Sequence, residues 1–185
     1  MADDIADLMK YLRIEKADVM GYSLGGGVAL RTALQRPNMI RKLMIVSAAF
    51  KCDGWYPKIL AAMAQAGWAT AAQMKQSPIY QTYARVAPSL ADWPVRFTKL
   101  GELLSKDYDW SKDVAAIKAP TLLVVADADA VRTAHTVKSL SCWVGQEGPA
   151  GMVRDVQWPP GYSAGGDALQ HSRITRTGIN GHALS

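Results

Sequence analysis

Long apolar runs are missing from this 185-residue chain, and no stretch approaches the ~18 residues that suggest a membrane-spanning helix. Cysteine is scarce. Cys52 and Cys142 stand alone, too few for a disulfide framework or a cysteine-built metal cluster, and free thiols in a reducing cytoplasm are expected. Basic blocks are also absent. The formal charge of +5 comes from 21 Lys and Arg against 16 Asp and Glu, dispersed among one another, which reads as a solvated surface and argues against a nucleic-acid partner. The amino terminus, Met1-Ala2-Asp3-Asp4-Ile5, has no basic flank and no apolar core, so it does not read as a secretory signal. What the chain does have is a 49% hydrophobic fraction, enough for the core of one domain.

That apolar content is periodic in the first two thirds. Ile5, Leu8, Met9 and Leu12 fall at i, i+3, i+4 and i+7, predicting a helix over 3–13 with Asp3, Asp4 and Asp7 at its positive end. Ala17 to Met20 reads as a strand ending at Gly21, Val28 to Gln35 as a helix stopped by Pro37, and Leu43 to Ser47 as a second buried strand. Helix and strand alternating in this way predict an α/β fold with a parallel sheet. Residues 53–104 change to helices rich in Ala, Met, Trp and Tyr, broken by Pro78, Pro88 and Pro94. Thr121 to Val125 predicts a third strand, and 131–138 a short helix. The last 47 positions hold 11 Gly and Pro residues, against 13 in the first 138, and their apolar residues follow no period.

The most informative motif is Gly21-Tyr22-Ser23-Leu24-Gly25-Gly26-Gly27, a Gly-x-Ser-x-Gly pattern between a predicted strand and a predicted helix. A sharp strand-to-helix turn lifts a serine hydroxyl above the sheet, and small flanking residues let the backbone make that turn. The N–H of Leu24, at the helix start, points where negative charge develops on a substrate carbonyl, and the helix dipole reinforces it. A phosphate-cradling loop is not supported, because the chain here has neither Gly-x-Gly-x-x-Gly nor Gly-Lys-Ser/Thr.

With Met44-Ile45-Val46-Ser47 following, the elbow resembles the central strands of the α/β-hydrolase superfamily. The resemblance implies a Ser–His–Asp triad in the order nucleophile, acid, histidine, and a helical cap for which residues 53–110 have the length and apolar character. It also implies the acid. Pro120-Thr-Leu-Leu-Val-Val-Ala-Asp127-Ala-Asp129 is similar to the family's strand and acid loop, where the second aspartate orients the histidine; Asp129 takes that role and Asp127 shapes the turn. Three histidines exist. His135, six residues past Asp129, reads as a surface residue; His171 and His182 lie at plausible distances, yet neither follows a recognisable strand.

Two departures from the family pattern are expected to matter. The elbow comes at residue 23, leaving room for a single preceding helix, which implies truncation and a missing second oxyanion donor. At the other end, residues 164–171 read one nucleotide later permit Pro-Gly-Gly-Thr-His-Tyr-Asn, the family's histidine loop, so the tail from near Lys138 reads as an out-of-frame translation.

The expected organisation is therefore a partial doubly wound parallel sheet of the α/β-hydrolase type. Central strands and elbow occupy 1–52, a helical cap 53–110, the acid-bearing strand and helix 111–138, and an irregular tail outside the domain 139–185. The expected activity is hydrolysis of an ester or related bond in a small-molecule substrate by Ser23, Asp129 and the Leu24 N–H, with no metal or organic cofactor, no membrane and a cytoplasmic location. The alternative is a catalytically inactive fragment, or a remnant that only binds a partner.

Overall fold

In a computed structural model, the structure describes residues 1–144 and 151–156. Helix α1 (Ala2–Tyr11) turns Ala2, Ala6 and Met9 inward and carries Asp3 and Asp4 in its first turn and Lys10 in its last, matching the helix dipole at both ends. Strand β1 (Ala17–Tyr22) leads directly into α2 (Leu24–Gln35), and β2 (Ile40–Val46) follows a single turn at Pro37–Met39. Four helices come next: α3 (Pro57–Ala64), α4 (Trp68–Ala71), α5 (Pro78–Val86) and α6 (Trp93–Leu104). Strand β3 (Thr121–Ala126), helix α7 (Thr133–Val144) and strand β4 (Gly151–Val156) close the order.

The strands form one sheet in the order β1-β2-β3-β4, every pair parallel. Tyr22 pairs with Val46, and Val46 with Val124, so three adjacent strands reach one common row near their C-terminal ends. The core lies between the sheet and α2: Ala29, Leu30 and Ala33 meet Ile40, Leu43, Ile45, Leu123 and Val125, with Phe50, Val114 and Ile117 at the margins. Each fully buried Leu, Ile or Phe contributes roughly 1.5–3 kcal/mol, so this layer dominates the fold's stability. Among the described residues β1 is an edge strand; Met20 on it is 68% exposed, and its Asp18 is held by two bonds from Arg41, at 2.8 and 2.9 Å.

The helical segment has a core of its own. Trp93 and Phe97 of α6 pack on Ala71, Tyr80 and Tyr83 stack against Trp93, and the Trp93 indole N–H donates to the Ala71 carbonyl at 2.7 Å. Its two ends meet. Lys51 and Asp109 form an antiparallel bridge and an ion pair at 3.1 Å; the Cys52 N–H donates to the Tyr108 carbonyl, and the Trp110 N–H to the Phe50 carbonyl. A third small cluster, Ala49, Trp55 and Val131, ties the segment's entry to the turn after β3.

Two expectations for the chain's later part are corrected. Helix α7 runs on to Val144, and the backbone at Gly151–Val156 pairs in parallel with β3, so regular structure continues past the boundary expected at 138. The helix was hard to read because its buried positions include His135, Thr136 and Ser139, polar residues that hide the apolar period. The Ser139 hydroxyl donates to the His135 carbonyl at 2.8 Å, which makes that burial tolerable. The helix expected from Val28 also begins earlier, at Leu24, with the glycines inside its first turn. Residues 145–150 and 157–185, which contain His171 and His182, lie outside the described residues. No helix among the described residues is long and apolar enough to cross a membrane.

Candidate active site

Ser23 joins β1 to α2 at φ 52° and ψ −119°, a conformation in the positive-φ region that a non-glycine residue rarely adopts. Holding it there costs of order 1–3 kcal/mol, which the flanking elements offset. The Ser23 N–H donates to the Val46 carbonyl at 2.9 Å, and the Gly27 N–H to the Ser23 carbonyl at 3.2 Å. The glycines divide the steric work unequally. A Cβ on Gly21 would sit 2.0 Å from the Gly25 carbonyl oxygen, and one on Gly26 would sit 2.5 Å from the Ala48 Cβ, whereas Gly25 has nothing within 4 Å. Small residues are thus required at 21 and 26, and the motif's last glycine is not the tight one. Leu24 opens α2, where the first N–H groups of a helix have no intrahelical acceptor and are available to an anion.

Asp129 lies in the turn after β3, its carboxylate gripped by three donors. Oδ2 accepts from the Ser47 hydroxyl at 2.6 Å and from the Ala126 N–H at 3.0 Å; Oδ1 accepts from the Val131 N–H at 2.9 Å. Asp127 is exposed and accepts only the local Ala128 N–H, at 2.9 Å. Ser47 went unremarked in the sequence. It directly follows β2 at φ 50°, one residue past the row that aligns Tyr22, Val46 and Val124, and so stands between the elbow and the acid turn. Its only sequence signal was a small polar residue ending an apolar strand. The negative charge of Asp129 reaches the elbow: the Tyr22 phenol is held above its ordinary range by burial first and by Asp129 second.

His135 corrects another expectation, since it is buried and not on the surface. Its Nε2 accepts the Phe50 N–H at 3.3 Å, its ring lies 4.1 Å from that of Phe50, and Nδ1 is 3.9 Å from Asp53 Oδ1. Burial lowers its pKa from 6.5 to about 4, so it is neutral near pH 7, and its two contacts with Phe50 bind it to the core. It is the only histidine among the described residues, and it does not line the cavity at Ser23.

That cavity, about 400 Å³, falls within the range of small-molecule sites. Ser23 and Leu24 form part of its wall; Leu60, Met63 and Leu103 of the helical segment form another, with Trp55 and Tyr108 between them. The Tyr108 hydroxyl accepts from the Trp55 indole at 2.8 Å and donates to the Ala49 carbonyl at 3.2 Å, and burial pushes the phenol up to about 12. Asp129 does not reach this cavity wall. Cys52, a free thiol, does, and burial raises its pKa.

Residues 1–76 match the family described as the alpha/beta hydrolase fold. The folded chain is similar to the enol-lactonase from Burkholderia xenovorans LB400 at TM-score 0.54 and 22% identity, covering 83% of this chain and 62% of that one. It is similar to a point mutant of the meta-cleavage product hydrolase from Pseudomonas fluorescens at TM-score 0.60 and 15% identity, covering 83% of this chain and 61% of that one. The chain has the α/β-hydrolase fold. Among curated relatives, two proteins named "Putative carbamate hydrolase RutD" are similar. The one from Rhizobium rhizogenes is 42% identical over 53 residues, 29% of this chain and 20% of the relative. The one from Azorhizobium caulinodans is 25% identical over 173 residues, 85% of this chain and 64% of the relative. The chain therefore spans less than two thirds of the length of either.

Proposed function

We propose that this chain carries the nucleophile and the acid of a serine hydrolase acting on an ester or related bond of a small molecule. The observation that carries this reading is Ser23 itself, held at positive φ on a strand–helix elbow and exposed to a substrate-sized apolar cavity. Its hydroxyl attacks the substrate carbonyl while the proton passes to an imidazole; the Leu24 N–H donates to the resulting oxyanion. Collapse expels the alcohol, which takes that proton, and water then releases the acid from Ser23 by the same route. Asp129 orients the imidazole by accepting its N–H. A carboxylate has about four acceptor sites, three of which are engaged here, so one remains for that bond. Residues 53–110 act as the cap, since Leu60 and Met63 of α3 and Leu103 and Leu104 of α6 line the cavity that Ser23 also lines.

The chain as translated then supplies no base of its own: the tail from near Lys138 reads as out of frame, and His171 and His182 are the alternatives that mutation tests. Turnover of p-nitrophenyl butyrate by the wild-type chain tests the scheme, with Ser23→Ala, His171→Ala and His182→Ala beside it. Loss of a triad nucleophile costs on the order of 10⁶ in kcat, so Ser23→Ala should fall to background. Activity retained in Ser23→Ala refutes the assignment. A second reading, a non-catalytic fragment, is favoured by His135 being the sole described histidine and buried, with its Nε2 taken by the Phe50 N–H. No turnover by any of these proteins, with wild type folded, would establish it.

A further inference from the structure

The wall of the Ser23 cavity follows one face of α2. Ser23, Leu24, Gly27, Val28 and Arg31 all line it, at the three- and four-residue spacings that share a helical face. Gly27 contributes no side chain, and the Trp110 ring is the nearest group to where its Cβ would be, at 3.9 Å; this leaves an open groove between Ser23 and Arg31. At the groove's far end Arg31 is partly buried, its guanidinium 5.8 Å from the Trp110 ring centroid. Among the described residues it forms no ion pair, although Arg36, Arg41 and Arg96 each have an aspartate partner. A partly buried guanidinium held over an indole by cation–π attraction, with no carboxylate partner, has N–H donors to offer a planar anion. The other charged side chains lining the cavity are Lys106 and Asp107, one of each sign, so they cancel to first order and Arg31 sets the net charge; the Asp107 carboxylate accepts the Tyr108 N–H at 3.0 Å.

We propose that the cavity binds a substrate with a carboxylate at one end, a scissile ester at the other and an apolar chain between, and that Arg31 is the carboxylate-binding residue. The spacing sets the length. Eight residues of helix separate Arg31 from Ser23, about 12 Å at ~1.5 Å per residue. After allowance for the reach of both side chains, six to eight carbons between ester and carboxylate carbonyls fit, roughly 9 Å of extended chain. Monomethyl suberate meets that description; its hydrolysis consumes one water and yields suberate and methanol. The proposal rests on Ser23 being the nucleophile only for its catalytic readout.

The test compares monomethyl suberate with dimethyl suberate, the same chain without the charge. In turnover, wild type should favour the monoester about tenfold through KM, and Arg31→Gln should lose that preference, the two esters then showing equal KM. Arg31→Lys, which keeps the charge but not the fork, should fall between them. Calorimetric binding to Ser23→Ala and to Ser23→Ala/Arg31→Gln gives the same comparison without chemistry, again about tenfold in favour of the monoester in the former and none in the latter. Equal affinity for the two esters in Ser23→Ala, or an undiminished preference in Arg31→Gln, overturns the role of Arg31. Ser23-dependent diester turnover without a monoester preference leaves the nucleophile standing and removes the anion site. Arg31-dependent binding without any turnover does the reverse.

Discussion

Acid should weaken this fold through one histidine. His135 is 6% exposed and its pKa lies at about 4 in the folded chain against an ordinary 6.5. Burial is the main cause, and Lys138, Arg132 and Lys51 add to it; Asp53 opposes. Protonation also turns Nε2 from the acceptor of the Phe50 N–H into a second donor facing it. Between pH 4 and 6.5 the unfolded chain binds the proton and the folded chain does not, so stability is full above 6.5 and falls as pH drops toward 4. A gap of 2.5 pH units corresponds to at most about 3 kcal/mol, of which about 2.5 kcal/mol is realised by pH 4.5. This is a large share of the 5–15 kcal/mol typical of a domain. Urea denaturation followed by circular dichroism from pH 7.5 to 4.5 measures it, with His135→Gln as reference. Glutamine can accept the Phe50 N–H and does not titrate, so the other acid-sensitive groups cancel in the difference. The wild-type curve should fall relative to the variant by about 2.5 kcal/mol; curves parallel within about 0.5 kcal/mol would refute the reasoning.

Two adjacent glycines should respond oppositely. Gly25→Ala, in open space on a helix, should stabilise by up to about 1 kcal/mol, while Gly26→Ala, pressed 2.5 Å from the Ala48 Cβ, should destabilise by about 1–3 kcal/mol in the same denaturation assay. Ser47→Ala removes one of the three donors on Asp129; in a catalytically active chain kcat should fall about tenfold with KM unchanged, and Ser47→Thr should restore part of it, measured by steady-state ester hydrolysis. Reading the DNA one nucleotide on from about codon 138 should give Pro-Gly-Gly-Thr-His-Tyr or close to it, the histidine codon overlapping Ala168 and Leu169. The alignment with the Azorhizobium relative covers 85% of the chain and so includes positions past 138, and an early stop codon in the shifted frame would leave His171 as the base to be tested first.

The parts of the fold visible in the sequence were those written in backbone sterics and side-chain periodicity. The elbow could be read because a serine at positive φ needs bare backbone beside it, and β1, β2 and β3 because strands buried in a parallel sheet are nearly continuous in apolar residues. Helix α7 could be read only in its first half, since polar residues fill its inner face: Thr136 and Ser139 donate to carbonyls one turn back, and His135 accepts the distant Phe50 N–H. Strand β4 joins the sheet by backbone pairing, which leaves little trace in composition. Ser47 and Arg31 were invisible for a different reason. Each acquires its meaning from a partner distant in the chain, Asp129 for the one and Trp110 for the other, and local pattern holds no information about such pairs.

The junction at Lys51 and Asp109 gives the helical segment the character of a cassette. Its entry and exit strands are clasped side by side, its inner aromatic core is separate from that of the sheet, and its contribution to the cavity comes from a few apolar side chains on α3 and α6. The elbow, Ser47 and the acid turn hang instead from consecutive strands whose register the backbone fixes. Insertions, deletions or wholesale exchange between 57 and 104 can therefore reshape what the cavity admits without shifting Ser23 against Asp129. A single-residue insertion within β1, β2 or β3 would move one reacting group by about 3.3 Å and turn its neighbours to the opposite face of the sheet.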